Sequence, residues 1–257
     1  MDVLVCVKRV PATGGRIVLT ADEQEIDTRY LGFTVSPHEE CAVEEAVRLG
    51  EAHGGSATVL TRGPEAAIDQ LRDALAVGMT EAILLETDGS EWDPGATAAA
   101  IVSAIRSREA AGRPFDLVLF GNDAADTGDF QVGIRVAHAL GLPCVAGVKG
   151  LEFRDGAAVA RREAEAGGWE IYELPLPAVL TVKEGLNLPR YPSVPGRLRA
   201  RRAEIARMVP ERRAAGPSKL RLHLPPAGGG QTEVLGTGPE AAPRVVELLG
   251  RLGLLSS

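Results

Sequence analysis

The chain has 257 residues, 45% of them hydrophobic and 25% charged, with a formal net charge of −7. A chain of this size buries enough surface to need no disulfide or metal staple, and the acidic balance argues against nucleic acid as a partner. Cys6, Cys41 and Cys144 are widely spaced and lack a CxxC, so they form neither a disulfide framework nor a zinc site and fit a reducing cytoplasm.

Residues 3–7 (VLVCV) open the chain as a short apolar run. Lys8 and Arg9 follow that run rather than precede it, the reverse of a secretory signal, so a cytoplasmic protein without a targeting segment is expected. No apolar run approaches the ~20 residues of a membrane span. Residues 57–61, 82–86, 116–121 and, more weakly, 144–148 are further apolar runs without clean alternation, the pattern of strands buried on both faces. Between them lie helical patterns. Ser36-Pro37-His38-Glu39 is a capping-box start, and its helix stops at Gly54-Gly55. Ile68, Leu71 and Leu75 mark a second helix ending near Gly78, and Asp93-Pro94 caps a third. A fourth runs from about Gln131 to Leu140 and ends at Gly141. Strands alternating with helices of this length make an α/β fold with a doubly wound, mostly parallel sheet.

The pattern changes after residue 150. LEFRDGAAVARREAE reads as an added β-hairpin turning at Asp155-Gly156. WEIYELPLPAVLTV continues as strand, with Pro175 and Pro177 marking an edge or a crossing. Next, Leu186 and Leu188 sit on a loop stiffened by Pro189, Pro192 and Pro195, followed by Arg197, Arg199, Arg201 and Arg202. From about residue 203 the chain is Pro/Gly-rich, an extended C-terminal arm that closes on the amphipathic PRVVELLGRLGLL. The residues alone leave two readings of the proline loop open. It folds its leucines onto its own core, with the arginines as a solvated face, or it is a pre-stiffened docking element.

Few motifs for chemistry are present. Gly236-Thr-Gly238 resembles a dinucleotide fingerprint, but the chain leaves no room for the second strand and ribose-binding acid that it needs. His38, His53, His138 and His223 have no metal spacing, and no nucleophile stands at a convincing spacing from a base, so neither metal nor catalytic residues are expected. The informative segment is Gly121–Gly133, GNDAADTGDFQVG, which leaves a buried strand and enters a helix. Open parallel sheets bind ligands beyond such strand ends, where strand order reverses. If the first strand lies between the second and fourth, the crevice is walled by residues 8–15, 61–64 and 121–133. Free N–H groups near Gly63 and Gln131 would hold a phosphate. Asp123, Asp126 and Asp129 would repel it unless they meet ribose hydroxyls or cap the helix.

VLVCVKRVP, SPHEECAVEEAVRL, DLVLFGNDAADTGDFQVG and LPAVLTVKEGLNLPRYPSVPGRLRAR, in this order over about the first 200 residues, resemble the β subunit of electron transfer flavoprotein. The resemblance implies an adenine-nucleotide α-hydrolase-like fold. It implies a nucleotide-binding domain over residues 1–202, a recognition loop at 183–196, and an arm at 203–257 that packs on an α subunit. It implies FAD held mainly by that α subunit, and one AMP in the β subunit. The positions matching the AMP pocket are Cys6, Ser36, Pro37, His38, Glu39, Arg62, Asp126, Gln131, Val132 and Gly133; Thr13 falls near the flavin. The family's loop docks on dehydrogenases through a leucine matching Leu186, with Asn187, Leu188, Pro189, Arg190 and Tyr191 beside it. Electrons then pass from acyl-CoA and other dehydrogenases to a membrane quinone oxidoreductase. Ser36, Arg62 and Phe130 depart from common family residues. Three alternatives stand beside this reading: a bifurcating member with a second FAD in the AMP site, a non-redox adenine-nucleotide-binding protein, and an adenylating or ATP-hydrolysing enzyme, for which KRVPATGG lacks the phosphate loop.

Overall fold

The structure is a computed structural model that describes all residues except 13, 15, 16, 155, 213–215, 217, 218, 227–232, 256 and 257. In chain order the elements are β1 (Val3–Val7), β2 (Val10–Pro11), β3 (Phe33–Thr34), α1 (Pro37–His53), β4 (Ala57–Gly63), α2 (Ile68–Val77), β5 (Glu81–Glu86), α3 (Pro94–Ala110), β6 (Leu117–Gly121) and α4 (Val132–Leu140). There follow β7 (Cys144–Arg154), β8 (Ala157–Glu163), β9 (Trp169–Pro175), β10 (Ala178–Val182), α5 (Val194–Arg202), β11 (Ala206–Met208) and α6 (Ala242–Arg251). Residues Met1–Leu220 form one unit and Arg221–Ser257 another. In the second, α6 is an amphipathic helix with Val245 and Val246 exposed.

Nine strands form one sheet in the order β11-β5-β4-β1-β6-β10-β7-β8-β9. β1 is buried at every position and pairs in parallel with β4 on one side and β6 on the other. The chain therefore winds outward from β1 to β4 and β5, then returns to β6 across the starting strand. That reversal opens the crevice expected from the sequence. α1, α2 and α5 cover one face, against Val3, Val5, Val59, Leu119 and Leu180. α3 and α4 cover the other, against Leu4, Leu60, Val118 and Val179. Both faces are covered, so the strands read as continuous apolar runs; each fully buried Val or Leu side chain contributes ~2 kcal/mol.

The helix ends follow their caps. Glu39 N–H donates to Ser36 Oγ at 3.2 Å and Ser36 N–H to Glu39 Oε2 at 2.8 Å, closing the capping box that starts α1. Ala96 N–H donates to Asp93 Oδ1 at 2.9 Å at the start of α3. Gly141, at φ 67, ends α4.

Three elements differ from the sequence expectation. β7 runs on to Arg154, well beyond the expected 144–148, and neighbours β10. The chain leaves β9, one edge of the sheet, and crosses back to place β10 between β6 and β7. Pro175 thus ends an edge strand, where its missing N–H breaks no central ladder. The hairpin β7–β8 forms as expected, although Asp155 of its turn lies outside the described residues. α5 starts inside the expected loop, because Ser193 Oγ caps it by accepting from Gly196 N–H at 3.1 Å and Pro195 suits the first turn. Finally, β11 pairs with β5, so the chain beyond residue 203 still adds a strand to the sheet.

α5 lies directly on α2. An added Cβ at Gly196 would stand 2.3 Å from the Ala76 carbonyl oxygen, so only glycine permits this approach. Arg72 Nη1 then donates to the carbonyls of Ala200 and Arg201, at 2.8 and 2.7 Å, satisfying the end of α5.

Candidate functional site

A cavity opens beyond the carboxyl ends of β1, β4 and β6, lined by Cys6, Lys8, Glu39, Arg62, Asn122 and Gln131 among others. It sits at the point where strand order reverses, the position at which parallel sheets bind ligands. Its walls come from the end of β1 and the turn after it, the end of β4, the β5–α3 loop with the first turns of α3, and the β6–α4 loop.

The side nearest β1 is a polar mesh. Glu39 is 5% exposed, and its two oxygens accept from Lys8 N–H and Ser36 N–H, each at 2.8 Å. Burial pushes the Glu39 carboxyl up to about 7, against the pull of these donors. Lys8 Nζ reaches Asp126 Oδ1 at 2.7 Å and ties the strand-1 turn to the β6–α4 loop. His38 Nδ1 lies 3.0 Å from Asp123 Oδ1. Burial also raises the Cys6 thiol far above its ordinary range, so this wall is neutral at sulfur.

The start of α4 is open to a ligand. Its N-cap residue, Gln131, makes no side-chain cap; its Oε1 accepts instead from Arg135 Nε and Nη2 at 3.1 and 2.8 Å. None of Asp123, Asp126 and Asp129 caps α4. The N–H groups of its first turn are free to meet an anion, where the helix dipole also favours one. Gly133 lets the helix start close to the sheet: a Cβ there would stand 2.8 Å from Thr181 Cγ2. Phe130, at the lip, is 52% exposed and holds a left-handed φ of 55, costly for so bulky a residue.

The opposite wall carries Leu60, Arg62, Trp92 and Ile101. Arg62 Nη1 donates to Ser90 O at 3.2 Å, while its Nε is buried without a partner. Desolvation lowers the Arg62 pKa most, followed by the nearby charge of Arg212.

The proline loop is docked on α1 by two residues. Asn187 Nδ2 donates to Cys41 O at 3.0 Å and to Glu45 Oε2 at 2.9 Å, and Arg190 pairs with Glu44 and Glu51. Leu186 is half-buried against the α1 side of the core. Leu188 and Tyr191 project, at 90% and 96% exposure. The two open readings of the loop are thus split by residue: one leucine is tucked in and the other is presented. Arg199, Arg201 and Arg202 are exposed and make no ion pair among the described residues.

Of the expected nucleotide-site residues, Cys6, Glu39, Arg62, Gln131, Val132 and Gly133 line the cavity. Ser36, Pro37, His38, Gly63 and Asp126 do not; Ser36 and Asp126 act behind it, through the capping box and the Lys8 pair. Gly63 ends β4, and a 3₁₀ turn at Glu65–Ala67 separates it from α2, so no clean helix start faces the cavity there. Thr13 lies outside the described residues. Sequence reasoning put Lys8 and Asn122 in the crevice walls without giving either a role, and passed over Trp92. Trp92 carried a signal, standing just before the Asp93-Pro94 cap that follows a strand end. Among the described residues, no helix is long and apolar enough to cross a membrane and no cluster of three His, Cys, Asp or Glu fits a metal ion.

The family described as electron transfer flavoprotein domain matches residues 25–211. The electron transfer flavoprotein subunit beta of Bacillus subtilis is 36% identical over 207 residues, covering 80% of this chain and 77% of the relative. That of Syntrophomonas wolfei is 36% identical over 231 residues, covering 88% and 87%, and that of Mycobacterium tuberculosis 32% over 210 residues, covering 79% and 77%. The matched span holds the β6–α4 loop, the proline loop and most of the sheet. The chain belongs to the electron transfer flavoprotein family, as a β subunit.

Proposed function

We propose that this β subunit pairs with an α subunit, binds one AMP in the switch-point cavity, and docks dehydrogenases through residues 183–193. The observation that carries the nucleotide reading is the open start of α4 at the rim of a cavity built from three strand ends. Val132 and Gly133 N–H groups take the phosphate. Asn122 and Asp129 line the neighbouring wall and suit ribose hydroxyls. Glu39 cannot approach the phosphate, because both its oxygens are held by backbone donors.

The redox chemistry is that of FAD, held mainly by the α subunit and supplying electron uptake and release. This chain's residues bind, position and dock. The reading is of an electron carrier, with acyl-CoA dehydrogenases as donors and a membrane quinone oxidoreductase as acceptor. Leu188 and Tyr191 offer exposed apolar anchors on a backbone already restricted by prolines, so little entropy is lost on docking. Arg199, Arg201 and Arg202 steer an acidic partner surface. The amphipathic α6 and the exposed Trp169 and Ile171 of β9 are apolar surfaces suited to the α subunit.

The test is to co-express both subunits, release the bound ligands and count them. One AMP and one FAD per heterodimer is the expected result. Two FAD and no AMP would replace it with the bifurcating reading, and FAD alone would remove the nucleotide role of the cavity.

A further inference from the structure

Trp92 is attended by two guanidinium groups. The Arg62 guanidinium carbon lies 5.2 Å from the indole centroid and that of Arg212 lies 5.7 Å away, both within cation–π range. Trp92 is 9% exposed and lines the cavity with Arg62. Arg212 follows β11 in the chain, and Arg212, Gly216 and Lys219 each meet the loop that carries Trp92. Arg212 Nη2 donates to Glu91 O at 3.0 Å, and Lys219 Nζ pairs with Glu91 Oε2 at 2.5 Å. A Cβ at Gly216 would stand 2.6 Å from Asp93 Oδ1, so this contact is close as well.

Two like charges share one ring, and Arg62 has no carboxylate within ion-pair distance among the described residues. A half-desolvated guanidinium with unused N–H groups costs free energy unless something accepts them. The acceptor has to come from the cavity. A phosphate is better served at the other end, by the N–H groups of α4 and its dipole. What remains at this end is a surface of Leu60, Trp92 and Ile101, with donors on Arg62. A flat apolar surface with a donor at its rim suits a purine, whose unprotonated ring nitrogens accept.

We propose that Arg62 and Trp92 form the seat for the purine of the bound nucleotide, and that Arg212 is a positioning residue that holds Trp92 against it. This rests on the nucleotide reading of the cavity. It makes Arg212 part of the nucleotide site, although no described residue after β11 lines the cavity.

The experiment follows exchange of bound nucleotide for labelled AMP in the co-expressed heterodimer, with adenosine and ribose 5-phosphate as competitors. Arg62→Met speeds exchange by about tenfold or more, because a charged donor is lost. Adenosine then competes poorly while ribose 5-phosphate competes as before. Arg212→Ala speeds exchange about three- to tenfold and shifts Trp92 emission to the red in a Trp169→Phe background, and Arg212→Lys restores both to within about twofold of wild type. Loss of ribose 5-phosphate competition in Arg62→Met would make Arg62 a phosphate ligand and overturn the proposal. So would wild-type exchange in Arg212→Ala, which would leave that residue a mere tether. A wild-type complex that takes up no AMP removes the nucleotide reading and this proposal with it. Uptake by wild type with unchanged exchange in Arg62→Met removes the proposal alone.

Discussion

Arg190 meets Glu44 edge-on: Nε and Nη2 donate to its two oxygens at 2.9 and 3.1 Å, and the Arg190 backbone N–H adds a third bond at 3.1 Å. Glu44 is 6% exposed, and Arg190 also spans to Glu51. The pair therefore clamps the proline loop to α1. Arg190→Ala strands the Glu44 charge in a buried site. A fully buried pair would lose 3–5 kcal/mol, but Arg190 is a third exposed, so a loss of about 1–3 kcal/mol is expected. Arg190→Lys recovers little, since an ammonium cannot make the forked contact. Hydrogen exchange over residues 184–192 reads the effect. A loop equally protected in Arg190→Ala would show that prolines alone hold it.

Leu186 and Leu188 should separate cleanly. Leu186 packs on the core, so Leu186→Ala lowers stability by about 1–2 kcal/mol. Leu188→Ala removes an exposed side chain and stays within about 0.5 kcal/mol of wild type. On the docking proposal, Leu188→Ala and Tyr191→Ala nevertheless raise the apparent KM of an acyl-CoA dehydrogenase for this flavoprotein. A KM change confined to Leu186→Ala, at unchanged stability, would return the anchor to Leu186.

The pattern in these two leucines shows what a sequence can and cannot carry. Strands such as residues 3–7 and caps such as Ser36 and Asp93 are written locally, in runs and short spacings, and the structure places them within a few residues of expectation. The crevice walls at Lys8, Arg62 and the β6–α4 loop followed from strand order, whereas the wall of Trp92 and Ile101 did not. Which leucine faces out depends on Asn187 and Arg190 finding Cys41, Glu44 and Glu45 about 146 residues earlier in the chain, and no local rule encodes that. The same is true of β10, whose place between β6 and β7 is decided by a crossing from the sheet edge. The contact of Arg212 with Trp92 joins residues far apart in the chain, and no local rule encodes it either.

Gly196 and Gly50 form a matched pair for testing the α2–α5 contact. A methyl at Gly196 would run into the Ala76 backbone carbonyl, which cannot swing away as a side chain would. Gly196→Ala should cost about 1–3 kcal/mol and loosen the Arg72 bonds to Ala200 and Arg201. A methyl at Gly50, within α1, meets nothing within 4 Å, so Gly50→Ala should gain about 0.5–1 kcal/mol. Urea midpoints of the two variants moving in the same direction would contradict this packing.

Glu39 gives the chain a pH signature of unusual sign. Its carboxyl is raised from the usual 4.5 to about 7, chiefly by burial. Between those values the native state keeps a proton that the unfolded chain has released, so stability falls as pH rises. The contribution is complete below about 4.5 and gone above about 7; two and a half pKa units correspond to roughly 3 kcal/mol. Carboxylates whose pKa is lowered, such as Asp2 and Glu81, act in the opposite sense at more acidic pH, so the readout is the difference between wild type and Glu39→Gln. The variant has one acceptor oxygen for the Lys8 and Ser36 N–H groups and starts less stable at low pH. Its deficit should shrink as pH rises from 4.5 to 7.5, because only the wild type loses stability there. Unfolding curves that keep a constant separation across this range would mean that Glu39 is ionised throughout, held by its two backbone donors.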